Sequence, residues 1–113
     1  MIALKSGCTR LRHPDGRNWL HHGGNSGLGT SGSGDTLAGI TGGLAARGAT
    51  LEQAAAWGVA LHARAGEVLA EKVGPLGYLA RELAVEVPGL MVAVQRATTP
   101  PAGRFCTGCT RCR

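Results

Sequence analysis

Three groups of residues have types and spacings that could do chemistry. The densest is Asn25-Ser26-Gly27-Leu28-Gly29-Thr30-Ser31-Gly32-Ser33-Gly34-Asp35. Its glycines leave so little side chain that successive backbone N–H groups can turn towards one point. Thr36-Leu37-Ala38-Gly39-Ile40 then reads as the start of a helix. A glycine loop feeding a helix N-terminus makes an anion site, because unpaired N–H donors meet the positive end of the helix dipole. Asp35 has two readings there. It is either a helix N-cap, a position Asp favours, or a base aimed at an attacking hydroxyl.

The second group is His21-His22, with His62 further along. Neighbouring residues on a strand face opposite ways, so His21 and His22 are read as a polar strand end and not as a shared metal site. His62 falls on the apolar face of a helical pattern and is read as a buried, hydrogen-bonded core histidine. The third group is Cys106, Cys109 and Cys112 at three-residue spacing. That spacing invites zinc or an iron–sulfur cluster, but both need four ligands and Cys8 sits far away in sequence. No metal site is assigned, and a basic, disordered tail is expected instead.

The elements that must position these groups follow from periodicity and punctuation. Residues 1–4 read as a short apolar strand that would be buried. Thr9-Arg10-Leu11-Arg12, the turn His13-Pro14-Asp15-Gly16 and Arg17-Asn18-Trp19-Leu20 read as a β-hairpin, with Leu11, Trp19 or Leu20 inward. A helix is expected over 35–47, with Leu37, Ile40, Thr41 and Leu44 on one face and Gly48 just past its end. Gly39, Gly42 and Gly43 lower its helix propensity, for which close approach to the sheet or to a nucleotide would compensate. Thr50 and Gln53 make a capping-box pattern that opens a helix to about residue 73. Its apolar stripe runs from Leu51 to Leu69 and is expected to lack sheet to cover. A third helix is expected over 78–87, ended by Pro88-Gly89.

Composition narrows the class. The chain has 113 residues and 19 glycines, nine of them between Gly23 and Gly43. Such clustering argues for one special loop and not for general disorder. The net charge of +5 is uneven: the seven acids all lie before residue 95, whereas the stretch 95–113 holds four arginines and no acid. The basic balance is therefore a tail property and gives little support to a nucleic-acid partner. With no 18-residue apolar run and no signal-peptide pattern, the chain is expected to be cytoplasmic, without a membrane partner.

Thr30 to Ile40, followed by Gly42-Gly43-Leu44, resembles the C-terminal signature of the ADP- or ATP-dependent NAD(P)H-hydrate dehydratases, which are ribokinase-like repair enzymes. The likeness continues through Ala55-Trp57-Gly58-Val59 and His62-Ala63-Arg64-Ala65-Gly66-Glu67, and reaches back to Ala3-Leu4-Lys5. The fold class it implies is α/β, the C-terminal part of a three-layer α/β/α sandwich around a mostly parallel sheet. Residues 1–92 would form that part, and residues 93–113 the Cys-containing tail. By resemblance, Asp35 is the general base and contacts the substrate, hydrated NADH or NADPH. The backbone around Gly32, Ser33 and Gly34 holds the transferring phosphoryl group. The stretch Lys5, Ser6, Gly7, Cys8 and Thr9 contacts the nucleotide, ADP or ATP, which Mg²⁺ accompanies; no residue is assigned to the metal. Ser6 stands where the family has glycine, although Gly7 follows directly.

Two other classes remain open at this point. One is a ribokinase-like small-molecule kinase that stops at the phosphorylated product. The other is a non-catalytic remnant whose loop only binds nucleotides or anions. The resemblance covers only the last part of the family's domain, so the chain is expected to be a fragment or half of an assembly, homo-oligomeric or joined to a missing N-terminal half, and inactive alone.

Overall fold

A computed structural model describes residues 1–97 and 104–106. In chain order it contains β1 (Ile2–Leu4), β2 (Thr9–Arg12), β3 (Asn18–His22), a 3₁₀ turn (Ser26–Gly29), α1 (Ser33–Ala46), α2 (Leu51–Val73), α3 (Ala80–Arg96) and β4 (Arg104–Cys106). The strands form one sheet in the order β1-β2-β3-β4, antiparallel throughout. For β1-β2 and β2-β3 antiparallel pairing is what the short connections dictate, since a parallel pair needs a crossover of a dozen residues or more. The described elements amount to a small α/β unit of one sheet and three helices.

The expected hairpin forms, with Leu11 opposite Trp19 and Arg10 opposite Leu20. Leu11 and Trp19 share a face, and together with Met1 they pack against Leu37 of α1 and Ala55, Ala56 and Val59 of α2. Arg17 fastens the turn to the start of α2 by pairing with both carboxylate oxygens of Glu52, and its guanidinium lies over the Trp19 ring. A second cluster joins Leu28 of the 3₁₀ turn, Ala63, Ala65 and Leu69 of α2, Tyr78, and Leu83 of α3.

Helix α2 begins as its capping box requires: the Gln53 N–H donates to Thr50 Oγ1 at 3.2 Å, and the Thr50 N–H donates back to Gln53 Oε1 at 3.1 Å. Gly48, with φ +98°, follows the end of α1 in the left-handed region, as expected for that position.

Several expectations need correction. Strand β1 is exposed, not buried: among the described residues β2 is its one strand partner, and it lies at the sheet edge. The stripe of α2 has little sheet over it, as expected, but α1 and α3 cover it instead, so Ala54, Ala55, Val59, Leu61, Ala65 and Leu69 are all buried while Leu51 at its start stays exposed. Gly39, Gly42 and Gly43 approach nothing; a Cβ at each would meet open space among the described residues. Helix α3 starts at Ala80 and runs through Pro88 to Arg96. Pro88 and Ala84, whose carbonyl loses its N–H partner, are both exposed, so water can satisfy that group. Beyond it Leu90 packs on the second cluster, and Met91 and Val94 line a groove with Leu44, Trp57 and Leu61. That burial holds the helix past the proline.

The boundary expected at 92/93 falls inside α3, and three residues of the expected tail form β4. Cys109 and Cys112 lie outside the described residues. No described helix is long and apolar enough to cross a membrane.

Candidate anion and nucleotide site

Helix α1 opens two residues earlier than its sequence pattern suggests. Gly32, at φ +82°, takes the cap position in the left-handed region, where a side chain would be strained. Asp35 is therefore the third residue of α1 and not its cap. The Ser33 N–H donates to the Thr30 carbonyl at 3.2 Å, and the Thr36 N–H donates to the Gly32 carbonyl at 3.0 Å. Gly34 and Asp35 lie between them, and their N–H groups find no partner among the described residues. The exposed Asp35 carboxylate stands beside these two donors at the positive end of the helix. Ser33, one of the backbone positions expected to face a phosphoryl group, has thus committed its N–H within the loop.

The loop before α1 is held from three sides. Asn25 Oδ1 accepts from the Gly27 N–H at 2.9 Å and from the Tyr78 hydroxyl at 2.7 Å, while its Nδ2 donates to the Gly66 carbonyl at 2.8 Å. Glu67 Oε1 accepts from the Gly24 N–H at 2.9 Å. Burial works against ionisation of Glu67, but the Gly24 N–H and Arg64 outweigh it, and its pKa lies below the ordinary value. Thr36 Oγ1 donates to the Ala80 carbonyl at 3.2 Å, tying the start of α1 to that of α3. Asn25 was visible in sequence only as part of a loop; its role as the pin between loop, Tyr78 and α2 depends on contacts more than forty residues apart.

Next to this loop lies a cavity of about 540 Å³. Lys5, Ser6, Gly7 and Thr9 line one side of it, and the segment 23–29 together with His62 and Val59 lines the other. Lys5 Nζ donates to the Leu28 carbonyl, and burial pushes its pKa below that of a free lysine. The structure thus brings four residues of the expected nucleotide stretch into one cavity. Cys8 is not among them, since its Sγ sits 3.4 Å from Nδ1 of His22. Gly32, Ser33, Gly34 and Asp35 do not line the cavity either. They adjoin it through His62, whose Nε2 is 3.0 Å from Ser33 Oγ and 3.0 Å from the Ser33 carbonyl.

His62 is thus the buried, hydrogen-bonded histidine that its pattern suggests. Burial chiefly, with nearby Lys5, pushes its pKa down to about 4. A Ser–His pair at this distance also occurs in hydrolases, but Ser33 has no exposed surface with which to meet a substrate. His22 is exposed and His21 buried, so the two do face apart; burial of His21, which lowers its pKa, replaces the expected polar strand end.

Among the described residues no three His, Cys, Asp or Glu side chains converge on a metal position. The described residues therefore offer no side-chain cage for Mg²⁺.

Comparison with known proteins gives one family. The family model of the NAD(P)H-hydrate dehydratases, of carbohydrate-kinase type, matches residues 1–89. The chain is similar to the ADP-dependent (S)-NAD(P)H-hydrate dehydratase of Xanthomonas campestris, at 50% identity over 96 residues, covering 85% of this chain and 33% of the relative. It is 42% identical over 84 residues to the enzyme of the same name from Neisseria meningitidis, covering 74% of this chain and 28% of the relative. The Bifunctional NAD(P)H-hydrate repair enzyme Nnr of Moorella thermoacetica is 40% identical over 83 residues, covering 74% of this chain and 16% of the relative. The chain spans about a third or less of the length of these relatives. No solved structure matches. With residues 1–89 covered by the family model, this chain belongs to the NAD(P)H-hydrate dehydratase family.

Proposed function

We propose that this chain carries the phosphoryl-handling part of a nucleotide-dependent NAD(P)H-hydrate dehydratase, a part that must be completed to turn over. The observation that carries the reading is the start of α1: two N–H groups unpartnered among the described residues and one exposed carboxylate, beside a cavity lined by Lys5, Ser6, Gly7 and Thr9. Such donors suit a phosphoryl group whose charge grows in the transition state.

In this reading the donor is ADP, as in the names of the Xanthomonas and Neisseria relatives, with ATP as the other candidate. Its terminal phosphoryl group passes to the ring hydroxyl of hydrated NADH or NADPH while the P–O bond to the nucleotide breaks. Asp35 takes the hydroxyl proton as general base. The Gly34 and Asp35 N–H groups hold the moving phosphoryl, and Lys5 turns from the Leu28 carbonyl towards the phosphates. Loss of phosphate, with the neighbouring ring proton, then restores the nicotinamide double bond. Magnesium would be held through phosphate oxygens and water. We place the reaction in the cytoplasm and the unit within a three-layer sandwich completed by a preceding segment or by a second copy.

The test joins residues 1–92 to the preceding two-thirds of the Xanthomonas relative and assays hydrated NADH with ADP and Mg²⁺. Turnover is expected, and Asp35→Asn should lower it by about 10²–10⁴ without changing nucleotide affinity. Retention of more than half the rate in Asp35→Asn would remove Asp35 as base. A phosphorylated product that persists, without regenerated NADH, would favour a kinase instead.

A second reading, nucleotide or anion binding without turnover, is favoured by the exposed edge strand β1 and by the span of about a third of the relatives. Titration of the isolated chain with ADP separates binding from the absence of binding.

A further inference from the structure

Helix α2 buries a run of small and aliphatic residues, Ala54, Ala55, Val59, Ala63, Ala65 and Leu69, and among them one imidazole, His62, at 3% exposure. A buried imidazole must satisfy its polar atoms or cost stability. Here Nε2 meets both Ser33 Oγ and the Ser33 carbonyl at 3.0 Å. A carbonyl can only accept, so Nε2 carries the hydrogen and donates. Ser33 is the first residue of α1 and has no exposed surface, so this contact lies at the root of the helix turn that bears Gly34 and Asp35.

That turn has few other ties. Its cap position is a glycine without a side chain to accept from the first N–H groups. Besides His62, its side-chain anchor is Thr36, bonded to the Gly32 and Ala80 carbonyls. The other side of His62 faces the cavity that Lys5 borders.

We infer that His62 is a positioning residue of the anion site. Through its paired contact with Ser33 it fixes the Gly34 and Asp35 N–H groups, and the Asp35 carboxylate, against the Lys5 cavity. Packing alone would be served by leucine. Burial and Lys5, the charged group facing it, keep the ring neutral near pH 7, so it orients the turn by hydrogen bonding and not by charge. What the site binds rests on the proposed function; the positioning itself does not.

The experiment uses the full chain and two readouts: hydrogen exchange of the peptide covering residues 30–40, and affinity for inorganic pyrophosphate. His62→Leu should speed exchange in the first turn of α1 on the order of tenfold while α2 and α3 keep wild-type rates, and should weaken pyrophosphate on the order of tenfold. His62→Gln, which retains an N–H donor, should recover most of both. First-turn exchange and affinity within twofold of wild type in His62→Leu would overturn the inference. Loosening spread evenly over all three helices would also overturn it, as it would mark a residue of the core alone. Should His62→Leu fail to fold, Ser33→Ala serves in its place: it keeps the carbonyl contact and should loosen the first turn by more than twofold but less than tenfold, whereas first-turn exchange within twofold of wild type in Ser33→Ala would contradict positioning. Should wild type bind no pyrophosphate, the anion reading falls, and the exchange comparison still decides the role of His62.

Discussion

The glycines of this chain fall into two populations, and their difference separates a finished region from an open one. At the inner seam they are obligatory. A Cβ on Gly27 would come within 2.0 Å of the Pro75 carbonyl oxygen, one on Gly58 within 2.3 Å of Thr41 Oγ1, and one on Gly66 within 2.6 Å of Leu28. These contacts close the loop onto α2 and onto the connection before α3, and α1 onto α2. On the outer side, a Cβ on Gly34, Gly39, Gly42 or Gly43 would meet nothing among the described residues. The edge strand β1 is likewise open, with Ile2 at 67% and Leu4 at 62% exposure. One residue type thus serves packing inside the unit and leaves space outside it. The open side is where the proposed completing segment, or a ligand, has room.

The largest expected effect breaks the inner seam. Gly27→Ala should lose about 3 kcal/mol or more of stability, because the clash is with backbone and a buried hydroxyl that cannot swing away. Urea unfolding measures it, and a loss under about 1 kcal/mol would show a seam far more tolerant than its contacts. Next, stability should depend on His62. With its pKa near 4 when folded and 6.5 as the ordinary value, the unfolded chain binds more protons between those limits. Stability is then full above about pH 6.5 and falls as the pH drops to about 4, by up to about 3 kcal/mol. His62→Leu should flatten that slope, and an unchanged slope would assign it to other groups.

On the open side the changes are smaller and of different kind. Leu4→Lys should reduce self-association, seen as later elution in size-exclusion chromatography, with stability altered by less than about 0.5 kcal/mol. Gly42→Ala should raise stability by about 0.5–1 kcal/mol through helix propensity. A loss there instead would mean that something covers this face of α1.

What was legible in the sequence was local. The Thr50–Gln53 box, Gly48, the His13–Asp15–Gly16 turn and the helical spacing of α2 each depend on neighbours within a few positions, and each forms as expected. The order of the motifs was enough to identify the family. What was not legible depends on distant contacts. Pro88 reads as a stop, yet Leu90, Met91 and Val94 bury enough surface to carry α3 past it. One of the two readings of Asp35 is a helix cap, yet Gly32 can adopt a conformation that starts the helix earlier. Strand β1 reads as a buried strand, yet nothing in its three residues says how many partners it has. The link from His62 to Ser33, across 29 positions, left no signal beyond a polar residue on an apolar face.

The central claim is that this chain holds the base and the phosphate donors but not a complete site. The most direct measurement compares NADH regeneration from its hydrate, with ADP and Mg²⁺, by the isolated chain and by its fusion to the preceding two-thirds of the Xanthomonas relative. The account predicts turnover by the fusion, abolished by Asp35→Asn, and none by the chain alone. A monodisperse, isolated chain that regenerates NADH would contradict it.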